Sequence, residues 1–247
     1  MDWGVLVQAG LWGVLAASSL MLGALLGALL RLPQWLVAAL LAYGSGVLIA
    51  AICFEQIPEA ERLGGLASTL YGMLAGGLVF VAANAWLDRL ERHQRGREAG
   101  GQAHMVGLLI AAGAFLDGIP ESLGLGLGLL NGGHVSLVML VAIFLSNLPE
   151  GLASAAGLRR EGRSVFYVLR LWGCIVLLLG LAAMAGPGLF ASLPPHWLAL
   201  ALGFSAGAVL CMLVDAMIPE AFAQTHAWTG LIALSGFMTA LALHKLI

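Results

Sequence analysis

The sequence predicts an all-α membrane protein: a polytopic bundle of about eight transmembrane helices with inverted repeats and both termini extracytoplasmic. Three observations predict it. First, 61% of the 247 residues are hydrophobic and only 10% are charged, with a mean hydropathy of +0.98. Soluble domains carry about 25% charged residues. Second, the apolar letters come in runs of about 20, the length that crosses the hydrocarbon core of a bilayer. Third, one of those runs recurs later in the chain, where the alternating path of the spans reverses its direction. The whole chain, 1–247, therefore reads as a single transmembrane domain in a lipid bilayer. It has no room for a large soluble domain or a disordered tail, and a net charge of -2 leaves no footprint for nucleic acid.

The spans follow in order. Span 1, roughly 5–30, comes after Met-Asp-Trp-Gly, which has no basic n-region. Its apolar run is too long for a signal-peptide core, so it is expected to be retained. Spans 2 and 3 are roughly 34–57 and 66–87. The polar stretch 88–102, DRLERHQRGREAGGQ, reads as a solvated loop. Spans 4 and 5, 103–130 and 135–158, each carry an internal Pro-Glu pair. Spans 6, 7 and 8 are roughly 165–185, 197–218 and 229–246. With the N-terminus outside, Arg31, Arg89, Arg92, Arg95, Arg97, Arg159, Arg160, Arg163 and Arg170 are cytoplasmic, and only Arg62 and Lys245 are not. That asymmetry obeys the positive-inside rule, and an even number of spans returns the C-terminus to the outside. Trp3, Trp35, Trp86, Trp197 and Trp228 fall near span ends and read as interface anchors. Cys53, Cys174 and Cys211 lie in apolar runs with no paired spacing and are expected to be buried packing residues.

The repeat is explicit. Tyr43–Ala60, YGSGVLIAAICFEQIPEA, aligns without gaps on Phe204–Ala221, FSAGAVLCMLVDAMIPEA. One copy is in span 2 and the other in span 7, which run oppositely. DGIPES (117–122) and SNLPEG (146–151) form a second such pair in spans 4 and 5. Oppositely directed repeats are typical of secondary transporters, whose sites lie between the repeats near the midplane.

The acids carry the chemistry. Ionisable groups within a bilayer are costly and usually functional. Asp117, Glu121 and Glu150 fall well inside spans 4 and 5, with no Lys or Arg at comparable depth. Such carboxylates need a proton, water or a cation. Asp117 and Glu121 are four residues apart and share a helix face, as do Ser146 and Glu150, with Asn147 beside them. Pro120 and Pro149 precede the two glutamates and bend their helices. Carboxylate, amide and hydroxyl oxygens together suit a divalent cation. Glu55, Glu59, Asp215 and Glu220, near the ends of spans 2 and 7, are candidates to line its entrance and exit. His93 and His104 flank the polar loop but are too few to make it a metal collector.

On these motifs the chain resembles, over nearly its whole length, the ZIP (ZRT/IRT-like) divalent metal transporters. The resemblance implies eight spans, a cytoplasmic loop between spans 3 and 4, and metal ligands on spans 4 and 5. The family's His-Asn-x-Pro-Glu-Gly in span 4 is Asp117-Gly118-Ile119-Pro120-Glu121-Ser122 here, and its span 5 motif, His-x-x-Pro-Glu-Gly, is Ser146-Asn147-Leu148-Pro149-Glu150-Gly151. The span 2 motif, His-x-x-Pro-Glu-Ala, is Glu55-Gln56-Ile57-Pro58-Glu59-Ala60. In span 7 Asp215 precedes Ile218-Pro219-Glu220-Ala221, one residue earlier than usual. Both family histidines are absent, and span 6 lacks the carboxylate that serves a second metal in some members. The implied ligand set is thus oxygen-only: Asp117, Glu121 and Glu150, helped by Ser146 and Asn147. A harder site of this kind broadens the expected substrate from zinc to manganese or iron(II).

The resemblance implies a divalent cation as transported substrate, with no cofactor and no catalytic residue, moved toward the cytoplasm by alternating access. Three acids around one divalent ion leave surplus negative charge. A proton is therefore expected to bind as metal leaves, making uptake depend on external pH. The expected location is the plasma (inner) membrane of a prokaryote, and a homodimer is compatible with the sequence. Two alternatives stand beside this reading. A transporter of another small cation would use the same acids, but only Phe115 and Phe144 are near enough to line an organic-cation pocket. An intramembrane aspartyl protease would use Asp117 and Asp215, yet neither has a Gly-x-Gly-Asp setting, and Glu121 and Glu150 would be left without a role.

Overall fold

The computed structural model describes residues 3–30, 32–97, 106–131 and 135–246, and among them every element is helical. Helix α1 is Trp3–Leu29 and α2 is Gln34–Ala51. A π turn, Ile52–Gln56, leads directly into α3, Ile57–Arg97. Helices α4 (Val106–Gly128), α5 (Leu137–Arg160) and α6 (Val165–Phe190) follow. Helix α7, Pro195–Met212, passes through a second π turn, Leu213–Met217, into α8, Ile218–Thr225, and α9 is Thr229–Leu246. Among the described residues, Trp3–Leu29, Gln34–Leu87, Leu137–Arg159, Val165–Phe190 and Pro195–Leu246 are long and apolar enough to cross a membrane.

The prolines account for the π turns. A helical proline has no N–H to donate, and its ring crowds the carbonyl four residues back. Just before Pro58, the Ile57 N–H reaches the Ile52 carbonyl, and just before Pro219 the Ile218 N–H reaches that of Leu213. Reaching back five residues widens the turn, as π-bulges do. Pro120 and Pro149 lie inside α4 and α5 without such a turn.

Both long apolar stretches contain a break. Gly65 has φ 77° and ψ 168°, far from helical values, and the chain between α8 and α9 turns at His226 with φ 46°. Positive φ is cheap for glycine and uncommon for histidine. A threonine closes each turn: Thr69 donates to the Gly65 carbonyl at 3.1 Å, and Thr229 to that of His226 at 2.7 Å.

Small residues set the helix contacts. A Cβ at Gly23 or Gly27 of α1 would run into the Leu148 or Leu152 carbonyl of α5. Gly126 brings α4 equally close to Ala183 of α6, and Gly46 brings α2 against Ala233 of α9. Gly76 and Gly207 bring α3 against α7, at Phe204 and Met73. In lipid, where tails are as apolar as leucine, such close approach supplies the van der Waals contact that holds helices together. One buried cluster around Leu48, Ile52, Ile143, Met212 and Leu213 fills the bundle centre, and a second surrounds Trp172 between α1, α5 and α6.

Two expectations need correction. The stretch 88–102 is not wholly a loop, because α3 continues to Arg97. Its sequence places acids four residues ahead of bases (Asp88 before Arg92, Glu91 before Arg95), an order that supports a solvated helix. Residues 98–105, with His104, lie outside the described residues. The cysteines are not buried either: Cys53 and Cys174 are exposed and Cys211 is half-buried. An outward helix face in lipid is as apolar as an inward one, so apolar neighbours do not place a residue inside. Trp3, Trp35, Trp86, Trp197 and Trp228 are all exposed, as anchors are.

Candidate functional site

The register of α4 and α5 brings their Pro-Glu motifs together. Glu121 is 1% exposed, Ser146 is fully buried and Asn147 is 2% exposed. Asp117 and Glu150 are half-buried. Ser146 donates to the Ile143 carbonyl at 3.0 Å and is 3.5 Å from Glu121 Oε1. A hydroxyl has one proton, so the shorter bond takes it and Glu121 is left with a weak contact. The other oxygen, Oε2, has no hydrogen-bond partner among the described residues. A buried carboxylate with so little support is costly unless something positive joins it.

Its neighbours add negative charge. Glu121 interacts electrostatically with Asp117, Asp117 with Glu220, and Glu150 with Asp117, Glu121 and Glu220. No basic side chain figures among those interactions. Glu220 thus belongs with the central acids rather than apart from them. Asp215 does not: both residues are exposed, but Asp215 interacts with Cys211 and not with the central acids. Among the described residues, no three His, Cys, Asp or Glu side chains already converge as ligands around one point.

Two unequal spaces are lined by parts of the helices that carry the acids. One is a cavity of about 1100 Å³, lined by the end of α1, the start of α2, the end of α5 and Glu220 of α8. Ser154, whose hydroxyl has no partner, also lines it. Arg159 is on its wall but donates to the Arg163 carbonyl. The other is a recess of about 240 Å³, lined by Glu55, Gln56, Glu59, Gly124, Ser136 and Leu202 among others. Gly124 is one helical turn from Glu121. Two hydrogen bonds tie neighbouring helices together near the recess. Ser205 donates to the Pro120 carbonyl at 2.5 Å, and the Gln56 amide to the Leu202 carbonyl at 3.1 Å.

In the recess, Glu55 accepts a hydrogen bond from Ser136, which also caps α5 by accepting from Met139 N. The other Glu55 oxygen faces His244 Nδ1 at 3.4 Å. Glu59 is held by Arg62 through contacts of 2.6 and 2.8 Å. Sequence reasoning did not single out Ser205, Gln56, Ser136 or His244 for these positions. Gln56 carried a signal, being a carboxamide within an apolar span. The others are polar residues of common kinds whose neighbours are distant in the chain. Compared with known proteins, the chain matches no protein-family model, and no curated protein matches it.

Proposed function

We propose that the protein is a transporter that carries a divalent metal cation (zinc, manganese or iron(II)) across the membrane toward the cytoplasm. Asp117, Glu121 and Glu150 are its main ligands on this reading, with Ser146 and Asn147 as weaker oxygen donors. The observation that carries it is the buried Glu121, one of whose oxygens lacks a partner among the described residues, beside Asp117 and Glu150 and with no base among its interactions. A cation of double charge supplies what those groups lack, and oxygen donors suit manganese and iron(II) as well as zinc.

Alternating access follows from the two spaces. The cavity of about 1100 Å³ is the cytoplasmic exit, and Glu220 continues the acidic path into it. The smaller recess is the closed extracytoplasmic entrance, and the Ser205–Pro120 and Gln56–Leu202 ties are its gate. The described conformation is then the inward-open one.

Eight spans with inverted repeats fit the same picture. A straight helix of 54 residues, as in Gln34–Leu87, would be about 80 Å long against a core of about 30 Å. On this reading each long stretch folds back, at Gly65 and at His226. The details pair under a shift of 161 in numbering up to the break and 160 after it. The π turn 52–56 matches 213–217, Gly65 matches His226, and Thr69 matches Thr229. Gly46 against Ala233 matches Gly207 against Met73, and Gly236 against Tyr43 matches Gly76 against Phe204. Such pairing supports two copies of one unit arranged around the site. Together with the Pro-Glu motifs, it supports the reading of the chain as a divergent relative of the ZIP transporters, located in a plasma (inner) membrane. The position of Asp215, outside the interactions of Asp117, speaks against a two-aspartate protease.

The test is uptake of zinc, manganese and iron(II) into proteoliposomes. The wild type is expected to take up at least one of them. Glu150→Ala abolishes that uptake, whereas Glu161→Ala, in the turn after α5, leaves it intact. Equal uptake by Glu150→Ala and wild type, or none by the wild type, overturns the proposal.

A further inference from the structure

We propose that Arg62 sets the affinity with which the recess takes up a divalent cation, by acting as a tethered cation on the entrance glutamate, Glu59. An arriving ion must displace the Arg62 guanidinium before it can use that carboxylate. This rests on the transporter reading above but adds a residue outside the central cluster.

The two copies of the repeat differ in what answers the charge of their glutamate. Ile57-Pro58-Glu59-Ala60 recurs as Ile218-Pro219-Glu220-Ala221, and the same shift of 161 sets Arg62 against Ala223. Each glutamate follows the proline that comes just after a π turn, so the local backbone is alike in both. Glu220 interacts with Asp117 and Glu150 and has no ion pair among the described residues. Its negative charge therefore stays available to an ion that leaves the central acids.

Glu59, in contrast, has a cation of its own. Arg62 Nε donates to Glu59 Oε2 at 2.8 Å, and Nη2 donates to Oε1 at 2.6 Å. A two-pronged grip of this kind engages both carboxylate oxygens. Those are the atoms that a divalent ion would take from the same group. At the exit, the position equivalent to Arg62 carries only the methyl group of Ala223, which lines the large cavity together with Glu220.

Exposure lets the grip open. The Arg62 side chain is 62% exposed and that of Glu59 27%, and Glu59 lines the recess. Ion pairs that water reaches are weak, so the guanidinium holds the carboxylate without locking it. A divalent ion brings two charges to the exchange against one on the guanidinium, and a monovalent ion has no such advantage. Entry alone carries the cost of displacing Arg62. That cost raises KM for uptake and leaves the central ligands, and with them kcat, untouched.

The experiment is a split of KM against kcat in the full-length protein. Initial uptake into proteoliposomes is measured over a range of zinc, manganese(II) and iron(II) chloride concentrations. KM and kcat are then taken for the ion that the wild type carries fastest. Arg62→Ala, which installs the residue of the other copy, should lower KM about two- to fivefold, the size of an exposed ion pair, with kcat unchanged. Arg62→Lys, which keeps the charge, should stay close to the wild-type KM. In a Glu59→Gln background, Arg62→Ala should leave KM nearly where it was. An unchanged KM in Arg62→Ala overturns the proposal. An equal fall in the Glu59→Gln background also overturns it, since Arg62 would then act as a surface charge and not as a competitor for Glu59. A poorly folded variant loses kcat and does not gain affinity, so misfolding cannot mimic the expected result. If Glu150→Ala abolishes uptake while Arg62→Ala keeps the wild-type KM, only the role of Arg62 falls. If Glu150→Ala transports like the wild type while Arg62→Ala lowers KM, the entrance role stands and the central ligand set falls. Absence of uptake of all three ions by the wild type overturns both.

Discussion

Replacing Glu121 by Gln separates a ligand from a structural residue, because the two roles predict opposite outcomes. Glu121 is 1% exposed, has one weak contact to Ser146 at 3.5 Å and leaves Oε2 without a partner. Gln has the same shape, keeps an oxygen for that contact and removes the charge. With a divalent cation in place, the lost charge is one member of a buried pair, worth about 3–5 kcal/mol. At about 1.4 kcal/mol per tenfold, uptake should fall a hundredfold or more. Without the cation the sign reverses. Among the described residues no base interacts with Glu121, so the amide places no charge beside Asp117 and Glu150. The metal-free variant should be at least as stable as wild type, by up to about 3 kcal/mol. For a chain of this size, thermal unfolding would then move up by as much as roughly 10 °C. Uptake of metal into proteoliposomes and thermal unfolding in detergent measure the two arms. A variant that unfolds earlier yet transports like wild type would refute the reasoning, since Glu121 would then hold structure and not the ion.

Two further predictions concern packing. Gly46→Ala and Gly207→Ala each push a Cβ into a backbone carbonyl of the facing helix, that of Ala233 or Met73. Each should lower stability by about 1–3 kcal/mol, and thermal unfolding should show losses of similar size, because the two approaches are of similar closeness. Cys53 and Cys174 face outward while Cys211 is half-buried. A lipid-soluble maleimide should therefore label the first two faster in membranes, which peptide mass spectrometry resolves, and fastest labelling at Cys211 would contradict the helix orientations described.

The positions of the helices and of the Pro-Glu motifs were legible in the sequence for a local reason. Whether a stretch can lie in lipid depends on its own residues, and α1, α6 and α9 fall close to the boundaries that hydropathy predicts. The motifs of α4 and α5 carried their own signal, because an acid within an apolar run is conspicuous wherever it points. Polar 88–97 was misjudged because its charges prevent membrane burial but not helix formation.

Tertiary structure alone decided which faces turn inward. Inside a bilayer, inward and outward faces are both apolar, so the periodicity that would place Cys53 or Cys174 is nearly absent. The same gap hid the different fates of two acids on one helical stretch, Glu220 beside the central cluster and Asp215 outside it. It also hid the meetings of Ser205 with Pro120 and of His244 with Glu55 across long separations in the chain. Composition settles that a segment is helical and lipid-compatible, but only the packing of distant glycines against backbone carbonyls settles which oxygen faces which.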